Sequence, residues 1–221
     1  MSARPDALGG PEDLDAAVEL LERSLGYTRV ALADVTDPLL PRPTPCAAWK
    51  LADLLVHMED ALDAFTEAAG GRVVDPIGAW DPNRRPAADR VAGLQRRACV
   101  LLGVWSGGAA PGPVRVGLGD RALAGPLLVR TAALEIAVHG WDVARATGRG
   151  LRIPEQLAGA LLATAVRVVG PADRGVRFAP PRPAAPGAGY DAPLLRFLGR
   201  DLTGPGADDW GNPGTRPGLV S

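Results

Sequence analysis

The stretch RTAALEIAVHGWDVARATG, residues 130–148, sets the fold class and the candidate chemistry together. Glu135 and His139 stand four residues apart, which on a helix places both side chains on one face, one turn apart. Asp142 and Ala146 continue that line. A neighbouring stripe, Leu127, Thr131, Leu134, Val138 and Trp141, is apolar apart from its threonine. The spacing therefore predicts a helix with a packing face and a polar line, Glu135–His139–Asp142, along its edge. A carboxylate and an imidazole at Glu-x-x-x-His spacing form half of a workable site for zinc or a similar divalent ion.

The chain has two histidines, and the other is His57, in LADLLVHM, residues 51–58. Leu51, Leu54, Leu55, Met58, Leu62 and Phe65 recur at helical spacing, and His57 falls at the border of that apolar face. If the two helices pack side by side, His57 meets Glu135 and His139. Three protein ligands leave a position for water or substrate, as catalytic zinc sites do. On spacing alone the plainer alternative stays open, since a histidine at a helix border is more often a satisfied structural residue.

Working outward, 221 residues with 47% hydrophobic content suffice for one large domain, or one domain with a small appendage. A net charge of −1 gives no electrostatic case for nucleic acid or an anionic membrane. No apolar run reaches the ~18 residues of a membrane span, and MSARPDALGGPEDLD at the start has no apolar signal core, so the expected location is cytoplasmic. Cys46 and Cys99 do not make a disulfide scaffold and are expected to be small buried thiols. Helical periodicity predicts helices from Asp13 or Asp15 to Ala33, from Trp49 or Lys50 to Ala69, over Ala87–Trp105, over Leu123–Thr147 and over Pro154–Val169. Short strands are expected at Val114–Leu118 and Val176–Phe178, and a last short helix over Ala192–Arg200. The Gly-rich run at Gly107–Pro113 lacks the Gly-Lys-Ser/Thr ending and the preceding strand of a phosphate loop. The expected organisation is a four-helix bundle over residues 12–170, a small strand–helix appendage over 171–202 and a flexible tail over 203–221.

TPCAAW (Thr44–Trp49), DLLVHM (Asp53–Met58) and LEIAVHGWDVARATG (Leu134–Gly148) together resemble the DinB-like superfamily. More narrowly, they resemble its actinobacterial metal-binding branch related to mycothiol-dependent maleylpyruvate isomerase. DAPLLRFLGRDL (Asp191–Leu202) resembles the closing helix of that branch. The resemblance implies a mainly α protein, a DinB-like four-helix bundle with a small C-terminal α/β appendage. It implies a divalent metal, usually zinc with nickel or iron as alternatives, held by His57, Glu135 and His139. Two departures stand out: Ala47-Ala48 replaces the usual Pro-Gly before Trp49, and Lys50 replaces the usual Ser or Thr, removing a natural helix cap. The region after the bundle is also much shorter than in the isomerase, which separates this chain from that particular substrate.

The resemblance implies mycothiol as a cosubstrate, because coordination to a divalent cation deprotonates a thiol that is otherwise mostly protonated at neutral pH. The expected activity is that of an isomerase or thiol S-transferase acting on a small electrophilic or unsaturated substrate, with a homodimer as an open option. Asp142 would orient a ligand histidine, and Arg145 would pair with a substrate carboxylate. For both, an ordinary helix-bridging ion pair is the alternative. Two further readings stay open. One is a thiol-independent tailoring or cyclisation enzyme of secondary metabolism, with a pocket lined by Trp49, Trp80 and Trp141. The other is a non-catalytic metal-binding protein, which a fourth protein ligand such as Cys46 or Asp60 would favour.

Overall fold

The computed structural model describes residues 11–46, 49–70, 85–107, 114–115, 122–123, 125–175, 178–183 and 189–202. Trp80, residues 176–177 of the expected second strand and the tail from residue 203 lie outside the described residues. Four long helices carry the fold: α1 (Pro11–Leu32), α2 (Leu51–Ala68), α3 (Ala87–Ser106) and α4 (Gly125–Thr147). α5 (Glu155–Val168) and the short α6 (Ala192–Phe197) follow. Two-residue strands β1 (Val114–Arg115) and β2 (Ala122–Leu123) pair antiparallel between α3 and α4. The protein is mainly helical, and its long helices form a DinB-like bundle. Among the described residues no helix is long and apolar enough to cross a membrane.

α4 is the axis of this arrangement. It packs along α1, α2 and α5, and it is buried nearly all round, with Leu128, Val129, Ala132, Ala133, Ile136, Ala137 and Val143 joining the expected Leu134, Val138 and Trp141. A helix apolar on every side belongs in the interior of a fold. The single packing face expected from the sequence was therefore too narrow, because small alanines on the other faces admit neighbouring helices as readily as leucines do.

The seam between α1 and α4 is the closest approach. Thr28 Oγ1 donates to the Ile136 carbonyl at 2.9 Å, and Gly140 sits against Thr28. A Cβ at Gly140 would lie 2.5 Å from Thr28 Oγ1 and 3.1 Å from Thr28 Cα. The glycine beside His139 is thus a packing requirement. It lets the α1 backbone rest on α4 one residue from the candidate site.

α2 and α3 are joined by charge as well as by leucines. Arg85 Nη1 donates to both oxygens of Glu59 at 3.1 and 2.8 Å, and Arg97 Nε donates to Asp63 at 2.9 Å. Arg90, only 1% exposed, donates to the carbonyls of Arg85 and Ala52. The start of α3 is capped from a distance: the Ala87 amide donates to Asp37 Oδ1 at 2.6 Å. At α2 the missing Ser or Thr cap is replaced in part by Asp53, whose Oδ2 accepts from the Lys50 amide at 3.0 Å.

Four boundaries moved. α1 begins at Pro11, earlier than the expected aspartates, and α4 begins at Gly125 because Ala122–Leu123 is spent on β2. Pro154 caps α5 from outside, with extended backbone, rather than lying in its first turn. α6 ends at Phe197, three residues before the expected Arg200. The reason is Gly199, at φ +77°, with the Gly199 amide bonded to the Arg196 carbonyl and the Arg200 amide bonded to the Leu195 carbonyl at 2.8 Å. That is a left-handed helix stop closed by paired backbone bonds. α6 packs on α5, and Leu194, Leu195 and Leu198 join the same hydrophobic core as the bundle.

Gly140→Ala is expected to destabilise the fold by about 1–3 kcal/mol through overpacking against Thr28. Gly103→Ala, at an exposed position inside α3 with nothing within 4 Å of the new Cβ, is expected to stabilise it by about 0.5–1 kcal/mol. Urea denaturation of both variants separates the close-packed glycine from the merely permissive one.

Candidate metal centre

Three segments of chain converge beside the middle of α4. α4 supplies Glu135, His139 and Asp142, and α2 supplies His57. The loop before α2 is clamped shut by Thr44, whose amide and hydroxyl both bond to the Trp49 carbonyl at 3.1 and 3.0 Å. This loop brings Cys46 and Trp49 to the same place. The Trp49 ring lies 4.5 Å from the His57 ring, centroid to centroid, and covers one side of it.

His57 Nε2 and His139 Nε2 each lie 3.0 Å from the same oxygen, Oε1 of Glu135. The two imidazoles meet nearly edge to face, at 85°. All three donor atoms fall within 4.8 Å of one another. Donors on a tetrahedral zinc stand about 3.3 Å apart when each is about 2.0–2.1 Å from the ion, so the two 3.0 Å separations from Glu135 need widen by only a few tenths of an ångström to suit a cation. Two neutral imidazole nitrogens and a carboxylate oxygen are a donor set that zinc, nickel and iron all accept.

The other edge of His139 is held separately. Its Nδ1 lies 3.0 Å from Asp142 Oδ2, and Asp142 is fully buried. Arg200 grips that carboxylate with two bonds, Nε to Oδ1 at 3.0 Å and Nη2 to Oδ2 at 2.8 Å. With Nδ1 turned to Asp142, Nε2 is the ring atom that faces Glu135 and His57 and would bind a cation on losing its proton.

The electrostatics follow from this packing. Burial alone would raise the Asp142 carboxyl, but the Arg200 guanidinium and the His139 imidazole outweigh it and bring its pKa to about 2. Burial would lower the Arg200 guanidinium, yet the Asp142 charge beside it carries it above its ordinary value. For Glu135, burial raises the carboxyl, and the charge and hydrogen bond of His139, with those of His57, overcome it and hold it well below the usual range. For His139, burial lowers the imidazole, and Glu135 and Asp142 together push it well above its usual value.

Cys46, His139 and Asp142 form a second set of donors close enough to share an ion. Arg200 Nη2, however, lies 3.2 Å from Cys46 Sγ and 2.8 Å from Asp142 Oδ2, which places a fixed positive charge where that ion would sit. Cys46 Sγ also approaches the Nδ1 edge of His139, at 3.9 Å, away from the Nε2 edge that faces Glu135. Asp60 is exposed on α2. Among the described residues neither joins His57, Glu135 and His139 as a fourth donor.

Other expected features fall elsewhere. Arg145 lies over the Trp141 ring, 5.6 Å from its centroid, and lines neither of the two cavities beside the trio. Trp141 is buried in the core rather than lining a pocket. Cys99 is exposed and Cys46 half-buried, so the expectation of two buried thiols is corrected: Cys99, on α3, lines the larger of the two cavities beside the trio, and Cys46 lies in the loop before α2.

Arg200 is the residue of the candidate site that sequence reasoning did not single out. Its signal was present in Leu198-Gly199-Arg200, where a glycine after an apolar helix marks a stop that turns the next residue back onto the fold. A Cβ at Gly199 would come within 2.7 Å of Ala179, so glycine is required both for the turn and for the contact.

Two cavities meet at the trio. One, about 310 Å³, is lined by Cys46, Trp49, His57, Phe178, Leu198 and Arg200, with Leu134, Val138, Glu135 and His139. The other, about 610 Å³, lies between α1, α2, α3 and α4 and also reaches Glu135 and His139.

Comparison with known proteins gives the family of this chain. Residues 21–144 match the family model described as the mycothiol maleylpyruvate isomerase N-terminal domain. Two curated relatives, uncharacterized proteins of Mycobacterium tuberculosis strains CDC 1551 / Oshkosh and ATCC 25618 / H37Rv, are each 32% identical over 177 residues, covering 77% of this chain and 90% of theirs. No solved structure matches.

Arg200→Met strands the buried Asp142 carboxylate and is expected to cost about 3–5 kcal/mol of stability at pH 7. The depressed Asp142 pKa makes its contribution complete above the ordinary carboxylate range and lost as pH falls through about 2. In the variant the unpaired carboxyl protonates at higher pH. The gap between variant and wild type should therefore narrow as pH falls from the raised carboxyl pKa of the variant toward about 2. Urea denaturation of the metal-free protein across that range checks it, and a gap independent of pH would contradict the pairing.

Proposed function

This chain belongs to the mycothiol maleylpyruvate isomerase N-terminal domain family, and from that membership we propose a metal-dependent enzyme. It acts on a small electrophilic or unsaturated substrate with a mycothiol-type thiol, as an isomerase or a thiol S-transferase. The observation that carries this reading is the convergence of His57 Nε2 and His139 Nε2 on Glu135 Oε1, backed by the buried Asp142–Arg200 pair. His57, Glu135 and His139 would hold the cation, zinc first, with nickel or iron as alternatives. A divalent cation there supplies Lewis acidity that favours the deprotonated form of a thiol at neutral pH.

The chain's own residues do the rest. Asp142 holds the Nδ1 proton of His139, so the ring cannot rotate its lone pair away from the trio. Arg200 keeps Asp142 ionised and fixed. Trp49 shields the His57 ring, while Leu134, Val138, Phe178 and Leu198 give the smaller cavity apolar walls that limit competing water. In the isomerase form, the thiol sulfur bonds to one carbon of a conjugated double bond while a proton is taken up at the other. The new single bond rotates, and loss of the same proton and thiol restores the double bond in the other geometry. In the transferase form the adduct is released, so the two activities differ only in whether elimination follows.

A thiol-independent tailoring or cyclisation enzyme on this scaffold is the alternative. It differs in one measurable respect, turnover of substrate with no thiol added. A non-catalytic metal-binding protein would show no turnover under either condition.

Elemental analysis of purified wild type beside His57→Ala is the first test. About one divalent ion per chain is expected in the wild type, lost in the variant with helix content by circular dichroism nearly unchanged. No metal in either protein, even after incubation with divalent ions, would sink the metal-enzyme reading. Asp142→Asn is expected to weaken metal affinity about 10–100-fold without removing a ligand, read by competition with a chromophoric chelator; unchanged affinity would remove Asp142 from its orienting role.

A further inference from the structure

We propose that the larger cavity, between α1, α2, α3 and α4, is the binding site for an apolar, carbon-rich unsaturated substrate, and that the smaller cavity receives the thiol. This assignment rests on the proposed metal-dependent reading for its chemistry, though its binding step does not.

Three observations carry it. The first is size: about 610 Å³ against about 310 Å³, both within the range of small-molecule sites, with the larger having the room for a carbon-rich substrate. The second is lining. Leu25, Leu32, Met58, Leu62, Leu94 and Leu102 form the walls of the larger cavity, and Met58 adds an adaptable surface suited to varied hydrocarbon shapes. Among the described residues that line it, Arg29 is the one arginine or lysine, exposed and two helical turns from Glu22, which is of opposite sign. Away from His139, a dicarboxylate lying along these leucine walls would lose water without gaining a counter-charge, which costs several kcal/mol. A hydrocarbon gains by the same transfer.

The third observation is continuity. Glu135 and His139 line both cavities, so the trio stands in the wall between them. His57, Cys46, Trp49 and Arg200 face only the smaller one. That side sets a cation, a sulfur and an aromatic ring among the apolar walls of Leu134, Val138, Phe178 and Leu198, a mixed surface for a thiol with polar groups. An apolar substrate reaching Glu135 and His139 from inside the bundle would present its unsaturated end to a thiol arriving from the other side. Keeping the two reactants in separate cavities means that neither must displace the other before they meet.

The experiment uses the full chain and the neutral fluorophore N-phenyl-1-naphthylamine. Saturable binding with a micromolar Kd is expected. Ala61→Phe and Ala98→Phe project new rings into the cavity from α2 and α3 and are each expected to weaken binding about tenfold or more, an effect of ~1.4 kcal/mol. Their metal content should match wild type. If one of these variants fails to fold by circular dichroism, the other carries the same reading. β-Ionone, an apolar enone, should displace the probe, and maleate should not. Absence of saturable binding, wild-type affinity in the filled variants, or displacement by maleate as effective as by the enone would each overturn the assignment. His57→Ala should bind the probe as wild type does. Probe binding in a protein that never takes up metal would leave the cavity standing while the metal reading fails, so the two failures are distinguishable.

Discussion

A carboxylate with no access to water, Asp142, is the constraint on which the centre of this protein depends. Such a group is tolerated only when it is fully bonded. Here it receives two bonds from Arg200 and faces His139 Nδ1. Those partners come from opposite ends of the architecture: His139 from the core helix α4, and Arg200 from the turn that closes α6. The ion pair therefore ties the C-terminal segment to the bundle and sets the orientation of a candidate ligand in one arrangement. Fold stability and site geometry share a single interaction, so substitution at either end disturbs both.

A second constraint acts on α4 itself. Because the helix is surrounded, each face must match a different neighbour. Gly140 admits the α1 backbone, the alanines on the remaining faces keep it narrow, and the polar line Glu135–His139–Asp142 occupies the sector facing α2, the Cys46–Trp49 loop and Arg200. The polar residues there are affordable because each finds a partner across that gap. This explains how a helix buried on all sides can carry three ionisable groups without losing its place in the core.

Much of this was legible in the residues. Helical periodicity located the long helices because leucines at regular spacing mark an apolar face whatever the neighbours are. The Glu135–His139 spacing and the border position of His57 brought those three residues together on paper, and the fold places them around one oxygen. What periodicity could not convey was contact between distant segments. It gave no warning that Asp37 caps α3 from fifty residues away in sequence, or that Arg90 is buried against the Ala52 carbonyl. Arg200 was hidden for a related reason: read as the end of a helix it points to solvent, and only the left-handed turn at Gly199 sends it inward. Arg145 was the converse case. Its place one turn beyond Asp142 suggested substrate binding, but the helix phase sets it over Trp141 instead.

The position of the trio between two unlike cavities gives the arrangement its chemical sense. A centre at the end of one pocket would require thiol and substrate to share a path and a lining, and a surface suited to a polar thiol suits a hydrocarbon poorly. Under the proposed assignment, Glu135 and His139 in a common wall remove that conflict, since each side can be shaped for its own reactant while both reach the same atoms. The inner side is free to vary with the leucines and Met58 of α2 and α3, which line the larger cavity and not the smaller one that Arg200 lines. On this reading substrate preference could change by repacking the bundle interior, with the orienting pair and the three donors left as they are.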